Sequence, residues 1–436
     1  MKVTFIGAIE GVTGSKSLLE INEELILIDA GLYQEEENIK KLNLEELPFK
    51  PKELSAIIIT HAHLDHTGFL PFIYKEGFRG PIYLTEPTAK LTNIILNDSA
   101  ELMQKQDLPL YSKEDAHNVV SLFRPHAFEE VVKINNCTIV FHKASHILGA
   151  SFVELNDGVS TIVFSGDLGR YDDPLLGPPE LISRADYLVV ESTYGNRIRV
   201  NKNMESELEQ ILIKIHSNKQ ILIIPCFALH RAQFLAYLIK KIFTKNPRIK
   251  MPFYLNSPMM EEVTYAYKKF INFFIPTEID LSDVWGKIYF LKHNWDIDNI
   301  NKAAGPQIIL ASSGMLTGGR IWTHLSALSR NRDAVIFLPG FQAPGTPGYQ
   351  LIHGAKKISS PEGDEIEIRA EVLTSEAFSS HADQDDLVNW IKTCKTPIKK
   401  IFIIHGEEKS KIGLKERLTT EKYLGIIPKK GESFEL

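Results

Sequence analysis

At 436 residues the chain exceeds the roughly 250–300 residues at which one hydrophobic core stops growing, so two domains are expected. Its 44% apolar and 24% charged residues are those of a globular enzyme and exclude disorder and low-complexity arrays. The net charge of −6 argues against a simple polyanion binder, and no stretch reaches the roughly 18 apolar residues of a spanning helix, which excludes a membrane protein and leads us to expect a cytoplasmic one.

The N-terminal run MKVTFIGAIEG meets glycine and glutamate before any leader-like apolar segment forms. The first half then alternates short β-branched runs with turns: ELILIDAG, LSAIIITHAH, CTIVFHKASH, STIVFSGDLG and YLVVESTYG. Each reads as a buried strand that ends on a polar residue. Strand ends in layered α/β folds are where sites gather.

From about Asn201 the pattern becomes a regular helix–strand alternation. SELEQILIKIHSN and HRAQFLAYLIKKIFTKN read as helices; KQILIIPCF, MPFYLNSP and GPQIILASSGM read as strands. Such alternation predicts a parallel sheet flanked by helices. After the Gly/Pro-rich stretch GFQAPGTPGYQLIHGAKKISSPEGD, short strands return in EIEIRAEVLTSEAF and KKIFIIHGEE around a helix in DQDDLVNWIKTC. The reading is a domain inserted at 197–360 into a host formed by 1–196 and 361–436. Charge follows the same division: 197–360 holds 21 Lys+Arg against 11 Asp+Glu, or +10, and the remainder is −16.

Cys137, Cys226 and Cys394 lie far apart without CxxC spacing, so no disulfide framework or thiolate zinc site is suggested. The chemistry concentrates instead in Thr60-His61-Ala62-His63-Leu64-Asp65-His66-Thr67-Gly68, directly after an apolar strand run. Four potential ligands within six residues would stay unsatisfied or repel one another unless a cation organised them. Imidazole and carboxylate suit Zn²⁺. His146, Asp167 and His405 each stand at the end of a strand run, and an aspartate such as Asp167 can bridge two cations about 3.5–4 Å apart.

With these residues in view, the chain resembles the metallo-β-lactamase superfamily and, within it, the β-CASP branch of RNA-processing nucleases. The resemblance implies an αββα sandwich carrying an inserted α/β domain built on a mainly parallel sheet. Asp29 in LILIDAG matches the first family motif, an aspartate that orients the ligand loop. His61, His63, Asp65 and His66 match the second, His146 in ASHILGAS the third and Asp167 in SGDLG the fourth. The branch-specific motifs are Glu191 in ESTYG, His381 in SSHAD and His405 in HGE.

The resemblance further implies two Zn²⁺ per chain, one on His61, His63, His146 and Asp167, the other on Asp65, His66, Asp167 and His405. It makes His381 the acid that protonates the leaving 3′-oxygen, with Glu191 holding and charging it. In the insert, PCFALHRAQ, ASSGMLTGGR and GFQAPGTPGYQL resemble the branch, which marks Arg231, Ser313, Gly314 and Arg320 as phosphate contacts. His230 stands where the family usually has glycine, and Tyr349 where it usually has arginine. The implied function is hydrolysis of single-stranded RNA, as endonuclease or 5′-3′ exonuclease, by a protein whose relatives often form homodimers. Three other readings stand beside it: a small ester or thioester hydrolase on the same fold, a DNA nuclease, and a catalytically inactive RNA-binding scaffold.

Overall fold

The computed structural model describes residues 1–34, 39–104, 109–199 and 203–436. It divides into two compact units, one of Met1–Ile198 with Ser380–Leu436 and one of Arg199–Ser379.

The first unit is built on two seven-stranded sheets. One runs in the order Ser433–Glu435, Lys2–Gly7, Lys16–Ile21, Glu24–Ile28, Leu54–Ile58, Ile82–Thr85 and Phe123–His126. The other runs Gly425–Ile426, Lys400–Ile403, Tyr187–Val190, Thr161–Phe164, Ser151–Asn156, Cys137–Lys143 and Val132–Ile134. In each, antiparallel hairpins give way to parallel pairing, as where Glu24–Ile28 meets Leu54–Ile58 and Thr161–Phe164 meets Tyr187–Val190.

Alternate residues of these strands face each other across the sandwich. Phe5, Leu19, Ile26 and Ile58 from the first sheet pack with Ile139, Phe141, Val153, Phe164 and Phe402 from the second. The opposite side chains of the first sheet, Leu27, Ile57 and Leu84, bury against Leu70, Ile73 and Leu96 of the flanking helices. A strand with both faces covered needs a continuous apolar run, which Ala56, Ile57, Ile58 and Ile59, all fully buried, supply. With helices Gln384–Lys392 and Glu408–Thr420 on the second sheet, the layers are helix, sheet, sheet, helix. No described helix is long and apolar enough to cross a membrane.

The second unit holds a six-stranded, all-parallel sheet in the order Tyr289–Phe290, Phe253–Asn256, Gln307–Ala311, Ile221–Pro225, Ala334–Pro339 and Glu371–Ser375. Its edge corrects the sequence reading of 361–379 as part of the host domain. Glu371–Ser375 pairs in register with Ala334–Pro339, and Glu365–Glu367 closes a hairpin on Lys357–Ser359. The chain therefore returns to the first unit only at Ser380. The correction changes the electrostatics: residues 199–379 hold 21 Lys+Arg against 17 Asp+Glu, or +4, because the segment 361–379 is acidic.

Candidate metal centre

The ligand loop is fixed by its backbone before any ligand is considered. Where Leu54–Ile58 ends, Asp29 N–H donates to the Ile58 carbonyl, and Thr60 N–H donates to Asp29 Oδ1 at 2.8 Å. The carbonyls of Leu64, Asp65 and His66 accept from the amides of Leu32, Ser15 and Ala30. That three-fold tie requires Gly31, since a Cβ there would lie 1.6 Å from the Asp65 carbonyl oxygen. Asp29, Ser145 and His405 all take positive φ, at 58°, 62° and 52°. Such conformations cost on the order of 1–3 kcal/mol each and cluster at sites held by their surroundings.

These loops bring seven side chains into two groups that share Asp167. In the first, His63 Nδ1 is approached by His61 Nε2 and His146 Nε2, each at 3.1 Å. Asp167 Oδ2 lies 3.5 Å from the former and 3.6 Å from the latter. In the second, His66 Nε2 and His405 Nε2 are 3.2 Å apart, and Asp65 Oδ2 is 3.4 Å from His405 Nε2. Asp167 Oδ1 faces this group, 3.4 Å from His66 Nε2 and 3.6 Å from His405 Nδ1.

This donor set fits divalent cations. A tetrahedral ion with bonds of about 2.0–2.2 Å sets its ligand atoms roughly 3.3 Å apart, the range seen here. Three imidazole nitrogens converging on one point cannot all be satisfied by hydrogen bonds to one another. Asp167 Oδ1 is buried and, among the described residues, meets no donor in good hydrogen-bond geometry. Its two oxygens point to different groups, as a carboxylate shared by two cations requires.

The electrostatics divide along the same line. Burial, reinforced by His66, holds His61 well below the ordinary imidazole range, and burial lowers His63 to about 4. Both are therefore neutral at physiological pH, the form that ligates. Burial acts against charge on His66 and His405 as well, but the Asp167 carboxylate, with Asp29 beside His66 and Asp65 beside His405, raises both. Burial opposes ionisation of Asp167 in turn, and the charges of His405 and His66 foremost outweigh it and hold the carboxyl well below its usual range.

Around the ligands lies a layer of orienting groups. Asp29 Oδ2 is 2.7 Å from His66 Nδ1, so it fixes that ring's tautomer. Thr60 Oγ1 donates to Asp29 and lies 3.1 Å from His61 Nδ1, and Thr193 Oγ1 lies 3.3 Å from His405 Nδ1. Neither threonine was singled out in the sequence; the only signal was adjacency, Thr60 preceding His61 and Thr193 following Glu191 by two.

His381 is clipped to the loop after Asp167 by main-chain pairing with Gly169 and by the Ala382 amide donating to Leu168 O. Its ring lies 4.4 Å from that of His146. Nδ1 is 3.3 Å from Glu191 Oε1, which also accepts from Leu168 N–H at 2.7 Å. Burial lowers the pKa of His381, but the Glu191 charge and hydrogen bond more than offset it and leave it raised. Asp167, Glu191 and His381 form a third group within ligand reach.

The residues expected to touch phosphate lie in the second unit and are engaged there. Arg231 Nη1 donates to Pro339 O. Arg320 Nη1 donates to Asn256 Oδ1 at 3.2 Å and Leu291 O at 3.4 Å. Ser313 Oγ is 3.3 Å from Thr317 Oγ1, and Gly314 packs on Phe227, whose ring is 45% exposed. His230 has φ 65° and ψ −54°, the left-handed side where glycine is favoured.

Residues 11–195 match the family described as Metallo-beta-lactamase superfamily, 232–351 the Beta-Casp domain, and 365–428 the Zn-dependent metallo-hydrolase RNA specificity domain. Among curated proteins, "Ribonuclease TTHA0252" of Thermus thermophilus is 35% identical over 95% of this chain and 95% of its own length. "Transcription termination factor FttA" of Pyrococcus abyssi is 31% identical over 93% of this chain and 67% of its own length. A solved structure of a protein of unknown function from Enterococcus faecalis V583 shares the fold, with a TM-score of 0.60 at 16% identity over 100% of this chain and 99% of that one.

Proposed function

The chain belongs to the metallo-beta-lactamase superfamily, in its Beta-Casp branch, and on that premise we propose that it is a zinc-dependent ribonuclease with two cations per chain. Metal-dependent hydrolysis and action on RNA follow from the family and its ribonuclease relative. A cytoplasmic location belongs to the same proposal.

The observation that carries the reading is the division of Asp167: each carboxylate oxygen faces a different imidazole group. His61, His63, His146 and Asp167 would hold one cation, and Asp65, His66, Asp167 and His405 the other. When bound, the cations supply Lewis-acid chemistry, lowering the pKa of a water towards neutrality and offsetting charge that builds up around phosphorus.

The protein's own residues do the rest. Asp29 and Thr60 fix the rings of His66 and His61, so the ligands do not have to reorganise. Glu191 takes Nδ1 of His381, which assigns the transferable proton to Nε2 and keeps the ring charged until it is given up. That proton goes to the departing 3′-oxygen. The fixed backbone on both sides of His381 holds the donor in one place while the bond breaks.

The test is cleavage of a 5′-labelled single-stranded RNA and the matched DNA by zinc-loaded protein, with zinc counted in the same sample. The proposal expects about two ions per chain, RNA cut in preference to DNA, and internal fragments if the mode is endonucleolytic. Release of single nucleotides from the 5′ end would instead assign the exonuclease mode. A chain that carries zinc and cuts neither strand would favour the small-ester hydrolase.

A further inference from the structure

Outside the catalytic groups, a second set of metal-ligating side chains gathers on the strand Cys137–Lys143, the strand that leads to His146. We infer that Glu129, His142 and Glu180 form a peripheral binding site for a zinc-class divalent cation, with Glu154 holding the far side of the imidazole. The inference is independent of the catalytic reading, because none of these residues belongs to the groups that share Asp167.

The geometry begins with His142, whose side chain is nine-tenths buried and stacked on Phe152 at 4.7 Å between ring centroids. Its Nδ1 faces two carboxylates, Glu129 Oε1 at 2.5 Å and Glu180 Oε2 at 3.9 Å. The three potential ligand atoms lie within 4.8 Å of one another. Glu129 is exposed at its side chain, so the 2.5 Å approach can open to the roughly 3.3 Å between ligands on a tetrahedral ion.

Two features of the cluster bear on a cation. The first is Nε2 of His142, which is buried without a hydrogen-bond partner among the described residues and points at Glu154 Oε2, 3.6 Å away. Without a cation, burial opposes charge on His142, but Glu154 on the Nε2 side and Glu129 on the Nδ1 side outweigh it and raise its pKa, which favours a proton on each nitrogen. A cation on Nδ1 takes the place of the proton shared with Glu129 and leaves the remaining proton on Nε2, directed at Glu154. Ligand histidines commonly make that outward bond to a carboxylate.

The second is the carboxyl pair itself. Burial, and then contact with Glu129, push the Glu180 carboxyl up, so the two acids share a space that two anions do not share comfortably. Of the basic groups nearby, Arg184 binds Glu154 at 3.1 Å, and the partly buried Lys143 offers Glu180 its backbone amide and feels its charge.

An ion here would join three segments. Glu129 N–H donates to Phe141 O, Glu180 N–H donates to Lys143 O, and Ser145 Oγ donates to Pro178 O. Trp390, on the helix that starts just after His381, donates from its indole to Glu180 O at 2.9 Å. The site thus braces the segments that lead to His146 and follow His381.

The test is zinc counting on the full chain, equilibrated with Zn²⁺ and freed of excess, for wild type and for the Glu129→Gln/Glu180→Gln double variant. Both substitutions keep size and hydrogen bonding, and Glu129→Gln alone, at an exposed position, gives the same comparison if the double variant misfolds. The inference expects one zinc fewer per variant chain and a smaller zinc-induced rise in unfolding temperature. Glu154→Gln should weaken the peripheral ion by about 10–100-fold while leaving it countable at high zinc. Equal counts in wild type and variants overturn the inference, as does an extra ion seen only at zinc concentrations far above those that fill the groups around Asp167.

Discussion

The two units use their polar residues in opposite ways. In the first, seven imidazoles and carboxylates are crowded within about 4 Å contacts of one another and only a cation would reconcile them. In the second, Arg231, Arg320 and Ser313 bond to the unit's own carbonyls and side chains. A metal centre cannot be built from residues that satisfy each other, whereas a phosphate-binding surface can be built from groups that also hold their loops. The first kind of site is therefore conspicuous in structure and sequence, and the second is not.

The comparison can be broken most sharply at Asp167. Asp167→Asn leaves each group short of its shared anion, so zinc content should fall and RNA cleavage should drop on the order of 10³-fold. Retention of both ions and of activity would show that the shared carboxylate is dispensable. Asp29→Asn removes no candidate ligand but loosens the hold on His66 Nδ1 and Thr60. Zinc affinity or turnover should fall about 10–100-fold, read by competition with a chelator.

In the second unit the expected effects are smaller and of another kind. Arg320→Ala removes bonds to Asn256 and Leu291, and should cost about 1.5–3 kcal/mol of stability in denaturant unfolding. If Arg320 also contacts phosphate, the salt dependence of RNA binding should flatten by about 0.7 in slope. An unchanged slope with lost stability would make Arg320 a purely structural residue.

Smallest of all is the Lys241–Glu205–Lys245–Glu278 network. Burial works against ionised Glu205, but hydrogen bonds from Lys241 and Lys245 outweigh it and lower its pKa. A carboxyl lowered on folding contributes stability that is complete above its unfolded value, about 4.5, and is lost as pH falls through the folded value. Lys241→Met should remove roughly 1 kcal/mol at neutral pH and less in acid. A loss that does not shrink on acidification would contradict the assignment.

How much of this could be read from residues alone follows from the same contrast. The run His61–His66 was legible because four ligands in one turn have no other common use. His146, Asp167 and His405 were not legible singly: each ends a strand, and only the folding of two sheets against each other brings them to the loop. Their inclusion came from family resemblance. Thr60 and Thr193 act through distance alone and carry no pattern.

The segment 361–379 was assigned to the wrong unit because an edge strand has the same composition whichever sheet it joins. Glu371–Ser375 is placed by its partner Ala334–Pro339, not by its own residues. His230 is the converse case. The family's usual glycine at that position has a physical reason in its positive φ, which the sequence could suggest only by comparison.

The central claim is that the cations are held by the groups around Asp167 while His381, set by Glu191, supplies the proton. It is tested most directly by single-turnover cleavage of labelled RNA with His381→Ala, with zinc counted in the same sample. The account predicts unchanged zinc with cleavage reduced about 10²–10⁴-fold, the range for a lost general acid. Loss of zinc together with cleavage would instead make His381 a ligand of the third group, and unchanged cleavage would remove it from the chemistry.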